Sequence, residues 1–362
     1  MKRNLTSIFA WMGVVLILSA ASMTVITHTL MAQEDVPPVT DEASVEPPPG
    51  NGSTDGDPAG SDPASTQDAT ATDEEMAENI TQPIPRPEPS TVLEQDGVTL
   101  ELFFENIPQG GAGVVHVFGD GVVGARARWF SDVIEFFPID DDGFYGLISV
   151  SIEQASREYD LTVFAVLEDD ARIEIPVKVP VGLGGFIKQT IEIPTERAYL
   201  VDPEIERTEF ARLDAIFRNI TTEVLWDSGE IDFQYPIRSA ITSPFGAVRV
   251  LNGTVETRHT GWDLRAATGT PVMSIAAGKV VFAGPMDIRG NIVIVDHGYG
   301  VYSTYCHFSV INVVRGQTLT KGQIVGLTGN SGRSSGPHLH WEMNINGEWV
   351  DSVDFMSMWL PG

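Results

Sequence analysis

The sequence predicts a mainly β protein, with two β-domains joined by one amphipathic helix. Three observations predict it. From Gly97 to Pro194, short apolar or alternating runs recur at regular intervals, divided by Gly, Pro or Asp. Between Asp202 and Gly229, apolar residues recur three and four positions apart, the period of a helix with one buried face. After Tyr235 the helical period disappears, and β-branched alternating runs such as "NIVIVDHG" and "VYSTYCHFSVINV" are separated by glycines.

The segments follow in order. Residues 1–33 begin Met1-Lys2-Arg3 and carry no charged side chain from Asn4 to Gln33, the pattern of a secretory signal peptide or of a single N-terminal membrane anchor. Either reading places the remainder outside the cytoplasm, in the cell envelope or secreted, with Lys2 and Arg3 retained inside. Residues 34–95 are rich in Pro, Gly, Ser and Thr, and contain 15 acidic side chains and one arginine. Such a composition cannot bury enough apolar surface to offset chain entropy, and it reads as a disordered acidic linker. Residues 96–195 hold about seven strand-like runs, from "VTLELFFENI" to "FIKQTIEIP", and are expected to form an immunoglobulin-like β-sandwich. Its "DDDG" at Asp140–Gly143 is an acidic turn, and His116 reads as a partly buried strand residue. Residues 196–230 form the connector. Asp202-Pro203 supplies an N-cap and a proline at the first helical position, and a helix of about six turns is expected to end near Gly229, between the two β-domains. Residues 231–362 make the last β-domain.

The net charge of -28, from 50 acidic and 22 basic side chains, argues against nucleic acid as a partner, because phosphate binding needs clustered Lys and Arg. The excess is confined to the first 230 residues; residues 231–362 contain 9 acidic and 9 basic side chains. The single cysteine, Cys306, permits no intrachain disulfide, so an exported domain here depends on its own core. Nothing in the sequence sets an oligomeric state.

Chemistry concentrates in the histidines. Five of the seven, His259, His297, His307, His338 and His340, fall in the last domain. In "SGPHLHWE", His338 and His340 are one residue apart, so a strand presents both imidazoles on one face and sends Leu339 and Trp341 to the other. In "RHTGWDLRAATGTPV", His259 and Asp263 would be roughly 13 Å apart on a flat strand, too far to share an ion, but Gly261 lets the chain bend. His259, Asp263 and one histidine of the pair make a set of three ligands that leaves a fourth position open on a tetrahedral zinc ion. The remaining histidine of the pair and His307 could then supply the proton acceptor and the group that steadies an attacked carbonyl. Spacing alone does not say which of His338 and His340 is the ligand, nor whether the site is catalytic or structural.

The segment from "ITSPFGAVRVLNG" through "RHTGWDLRAATGTPV" and "STYCHFS" to "SGPHLHWEMNINGEWVD" resembles the lysostaphin-type metallopeptidases, the M23 or LytM family of peptidoglycan endopeptidases. The resemblance covers about residues 237–354. It implies a LytM-type antiparallel β-domain, a zinc cofactor held by His259, Asp263 and His340, and catalytic roles for His338 and His307. It also implies peptidoglycan peptides as the substrate, cut at a cross-bridge or stem-peptide bond. The preceding β-domain and helix are more loosely similar to the amino-terminal part of some exported members. Two positions depart from the pattern: Trp262 stands where a smaller aliphatic residue is usual, and Cys306 where alanine is common.

Three rival readings stand against this one. Some relatives have lost zinc ligands and act as non-catalytic activators of other cell-wall hydrolases, and a sandwich or helix lying over the groove would make an autoinhibited form. A carbohydrate-binding module would need an exposed aromatic platform, which the last domain does not display. A thiol nucleophile at Cys306 would need His307 beside it, whereas adjacent strand residues point to opposite faces. His297, next to turn glycines, reads as a turn residue or as support for a ligand. The loop "GLTGNSGRSSGPH" lacks a phosphate-loop ending and is expected to wall a substrate groove.

Overall fold

In Val98–Leu102, Val98, Leu100 and Leu102 are buried while Thr99 and Glu101 reach the surface, the two-residue period that a half-buried strand requires. This pattern is repeated through most of the protein in the computed structural model, which describes residues 84–226 and 233–361. The N-terminal uncharged run and most of the acidic linker lie outside the described residues. Among the described residues, no helix is long and apolar enough to cross a membrane.

Two five-stranded sheets occupy residues 91–182. One runs in the order Thr91–Gln95, Val98–Leu102, Ala112–Gly119, Gly143–Ser149, Phe137–Ile139. The other runs Ile107–Pro108, Arg172–Gly182, Glu158–Leu167, Val122–Trp129, Asp132–Glu135. Leu100, Val115 and Val117 of the first share one apolar core with Ala127, Leu161 and Val163 of the second. Ten strands thus stand where six of the about seven expected runs lie; the seventh, "FIKQTIEIP", leaves the sandwich, as Lys188–Ile191 pairs with Val248–Leu251 of the last domain. "ARARWFSDVIEFF" is cut at Phe130, which takes a left-handed φ of 52°. Thr91–Gln95, assigned to the linker by composition, pairs with Val98–Leu102 across an Asp96-Gly97 turn whose φ values are 49° and 80°. Asp-Gly is the dipeptide that a two-residue hairpin favours, and it was the available signal. Asp140–Gly143 is a turn, as expected, whereas His116 is fully buried.

The connector departs from expectation more clearly. A short 3-10 helix, Thr195–Val201, precedes the cap, and the Asp202 side chain accepts from Glu204 N at 2.9 Å. The helix is Pro203–Phe217, 15 residues, so it stops well before Gly229. Asn219 ends it by donating its side-chain amide to Ala215 O at 2.7 Å. The chain beyond turns to the last domain, where Thr221 O accepts from Tyr299 N and Leu225 N donates to His297 O. The helix does not separate the β-domains either. Leu213 and Phe217 are buried against Ile292, Ile294, Tyr302 and Cys306, on one face of the last sheet.

That sheet has eight strands. Seven follow in the order Ile241–Ser243, Trp262–Arg265, His338–Ile345, Val301–Cys306, Asn291–Gly298, Gly278–Pro285, Thr318–Leu319, and Glu348–Val350 adds to His338–Ile345. Leu339, Trp341 and Met343 fill the core on the face away from the connector helix. The sandwich bonds to this sheet directly: Ser149 Oγ donates to Ile345 O, and Asn346 Nδ2 to Leu147 O, both at 2.8 Å.

Candidate metal centre

Sheet register builds half of the site. Asp263 and His340 are cross-strand partners in the antiparallel pair Trp262–Arg265 and His338–Ile345, so their side chains leave the same face side by side. His259 arrives from a bend. The strand Val255–Arg258 ends just before it, and Gly261 passes so close to Trp341 O that an added Cβ would stand 2.3 Å from it. Only glycine permits that approach. His259 Nε2 then lies 3.0 Å from both Asp263 Oδ1 and His340 Nδ1, and the last two are 2.9 Å apart.

Each imidazole is held in one orientation by its other nitrogen. His259 Nδ1 lies 2.6 Å from Pro244 O, an obligate acceptor, so it carries the proton. His340 Nε2 lies 3.0 Å from Glu342 Oε1 and donates in the same way. Three ligand atoms therefore converge; burial opposes charge on His340, but its hydrogen bonds to Asp263 and Glu342 outweigh it and raise its pKa. A buried cluster of this kind fits a cation with nitrogen and oxygen ligands, and two imidazoles with one carboxylate suit zinc. Burial pushes the His259 pKa down to about 4, which keeps it neutral and available as a ligand. Burial opposes charge on Asp263, but the Arg249 guanidinium beside it favours the carboxylate, and the carboxyl is held well below the usual range. Arg249 Nη2 sits on Asp263 Oδ2, leaving Oδ1 to the histidines.

The two remaining histidines stand beside this set. His338 Nδ1 donates to Gly336 O at 2.8 Å, and its Nε2 is 3.4 Å from Asp263 Oδ1. His307 follows the strand Val301–Cys306 with a left-handed φ of 62°, a conformation uncommon outside glycine. Its ring centre is 4.7 Å from that of His338 and 5.8 Å from that of His340. Its Nδ1 donates to Ser331 O at 2.7 Å. Burial, with His338 and His340 close by, lowers its pKa well below the ordinary value.

Two sequence readings change. Cys306 does not turn away from the site: it is the cross-strand partner of His340 and lies buried on the same face, beneath His340 and Glu342. The left-handed turn at His307 breaks the simple alternation on which that expectation rested. Burial, reinforced by Glu342, pushes the thiol pKa well up, so Cys306 is an inert neighbour. His297 is a core residue whose nitrogens meet Ala277 O and Ser303 Oγ, neither of which belongs to the site. Arg249 and Glu342 were not singled out by sequence; His-x-His-x-Glu alternation puts Glu342 on the ligand face and could have flagged it.

The site opens into a cleft. One wall is the glycine-rich loop, with Arg333, Ser334 and Ser335; the other combines Ile191 and Ile193, at and just after the end of the strand Lys188–Ile191, with Phe210 of the connector helix. Arg333 pairs with Glu206 of the connector helix at 2.8 Å, and Arg197 donates to Ser334 O at 3.0 Å, joining the walls.

The sequence profile of peptidase family M23 matches residues 257–352, which contain all five site residues. A "DD-carboxypeptidase/endopeptidase Mpg" of Neisseria meningitidis serogroup B is 37% identical over 132 residues, 36% of this chain and 30% of that relative. The "Peptidoglycan DD-endopeptidase ShyA" of Vibrio cholerae is 38% identical over 131 residues, 35% of this chain and 30% of that relative. The match thus spans about 30% of the length of these curated relatives. A crystal structure described as a peptidase M23 from Pseudomonas aeruginosa is 26% identical, covers 70% of this chain and 96% of its own, and has a TM-score of 0.51. Fold, residue pattern and relatives agree that residues 257–352 form a peptidase family M23 domain.

Proposed function

We propose that the protein is an exported zinc endopeptidase that hydrolyses peptide bonds of peptidoglycan. The observation that carries this reading is the convergence of His259 Nε2, Asp263 Oδ1 and His340 Nδ1, with two further imidazoles alongside. The relatives named for peptidoglycan endopeptidase activity support the substrate class. Those three atoms would hold the zinc ion, which when bound supplies Lewis acidity toward a peptide carbonyl and an attacking water.

The chain's own residues do the rest. With its Nδ1 proton on Gly336 O, His338 turns the lone pair of Nε2 into the site, where it accepts the proton of the attacking water and returns it to the leaving amine. His307, neutral and with its Nδ1 proton on Ser331 O, also presents an acceptor, so it orients the water or a substrate N–H. The uncharged N-terminal run and the acidic linker support export and an extracytoplasmic location, with the chain cleaved or anchored there. Domain limits at 96–195, 196–230 and 231–362 remain the working division, with the first strand at Thr91 added.

The test is digestion of purified peptidoglycans of different cross-link chemistry, with product masses read out. Release of peptides cut at one bond, abolished by chelator and restored by zinc, is expected. A chain that binds zinc and strengthens another hydrolase without cutting would support the second reading, a non-catalytic or autoinhibited activator. The closeness of Ile191, Ile193 and Phe210 to the cleft favours that alternative.

A further inference from the structure

The connector helix reaches the metal centre through a chain of buried charge. Glu209, on that helix and 1% exposed, accepts from Ile288 N at 2.6 Å, from Arg289 N at 3.1 Å and from Arg289 Nη1 at 3.0 Å. The other edge of the Arg289 guanidinium grips Glu342: Nε donates to Oε2 at 2.9 Å, and Nη2 donates to Oε1 at 2.6 Å. Phe210 and Trp349 lie 5.3 and 5.7 Å from the guanidinium carbon and exclude water from it. Glu342 also receives Thr260 Oγ1 and, at 3.0 Å, His340 Nε2.

The arrangement leaves little freedom. Arg289 is fixed between two carboxylates on opposite edges, Glu342 is fixed by Arg289, and the His340 ring is turned by Glu342 so that Nδ1 faces Asp263 and His259. A carboxylate behind a ligating histidine selects its tautomer and aims its lone pair. Glu209 lies outside residues 257–352, so the helix supplies a part of the site that the matched region lacks.

We infer that Glu209 of the connector helix is a positioning residue for the metal centre: through Arg289 and Glu342 it sets the orientation of His340 and so the affinity for the metal. This rests on the reading of His340 as a ligand. A merely structural role would make Glu209 only a buried anchor of the helix, and the two roles separate in zinc affinity.

The experiment measures the zinc dissociation constant of the full-length chain by competition with a chromophoric chelator, alongside thermal unfolding without metal. Glu209→Gln keeps the size and removes the charge that holds Arg289; we expect zinc binding about tenfold weaker, the low end for loss of support behind a ligand. Leu213→Ala, on the same helix but outside the charge chain, should lower the unfolding midpoint and leave zinc affinity within about twofold, since sites without shared partners act independently. Thr260→Val, nearly isosteric, removes one donor to Glu342 and should weaken zinc a few-fold, which keeps the inference testable even if Glu209→Gln does not fold. Wild-type affinity in both charge-chain variants overturns the inference, and so does equal weakening by Leu213→Ala. A wild-type chain that takes up no zinc sinks the metal reading itself, and this inference with it.

Discussion

Among the described residues, two buried histidine–carboxylate clusters stand out, one in each β-domain, and only one of them brings two imidazoles and a carboxylate to one point. In the sandwich, His116 Nε2 lies 2.6 Å from Asp142 O, and Nδ1 lies 2.9 Å from Glu101 Oε2 and 3.3 Å from Arg86 Nη2. Arg86 closes the cluster by donating to Glu101 and Asp142. Every acceptor there meets a donor. At the metal centre, His259 Nε2, Asp263 Oδ1 and His340 Nδ1 stand 2.9–3.0 Å from one another, three possible ligand atoms at one point. Histidine near carboxylate is thus common to both clusters, and the convergence of three ligand atoms separates them.

The largest expected effect follows from that convergence. His340→Ala should remove zinc and reduce peptidoglycan hydrolysis by more than about a thousandfold, whereas His338→Ala should keep the metal and lose about 10²–10⁴ in rate as a proton acceptor is removed. Zinc assay and product release together check the division; equal metal loss in both would show that the pair has been assigned the wrong way round.

Next in size is a pH effect at His297. Burial lowers its pKa from 6.5 to about 4. The unfolded chain therefore takes up this proton first as pH falls. The contribution of a neutral buried His297 is complete above about pH 6.5 and is lost as pH drops toward 4, on the order of 3 kcal/mol. Denaturant unfolding across that window should show a steeper loss for wild type than for His297→Gln; parallel curves would reject it.

His116→Ala sharpens the comparison from the other side. It leaves Glu101 without one buried partner and should cost about 1–3 kcal/mol of stability, while zinc stoichiometry and hydrolysis stay at wild-type level. A loss of zinc in this variant would break the distinction between the clusters. The smallest effect belongs to Cys306→Ala, a packing cost of about 1 kcal/mol with activity kept, because a buried thiol acts as a small apolar group. His307→Ala should instead lose hydrolysis with zinc still bound, and the reverse pattern would restore the thiol mechanism.

Strand periodicity and histidine spacing made the β character and the shared face of His338 and His340 legible, since both depend only on neighbours one or two residues away. The convergence of His259 with Asp263 needed the bend at Gly261, visible as a glycine but not as a direction. What sequence could not reveal depends on contacts between distant segments. The end of the connector helix is set by Asn219 and by the pairing of Thr221 and Leu225 with the last domain, so its apolar spacing alone overstated its length. Arg249 and Glu209 meet the site only after folding, and as isolated charges they read as surface residues.

The bonds from Ser149 to Ile345 and from Asn346 to Leu147 belong to a wider seam in which Phe137, Tyr145 and Leu147 of the sandwich share a core with Trp226, Met343 and Val350. Ile345 ends the very strand that begins with His338 and His340. The two β-domains are therefore expected to melt as one cooperative unit, with calorimetry showing a single endotherm whose midpoint rises with zinc. A substitution deep in the sandwich seam, such as Leu147→Ala, should then shift the same transition, which would make the sandwich a thermodynamic partner of the strand that carries His338 and His340 and not a detachable spacer.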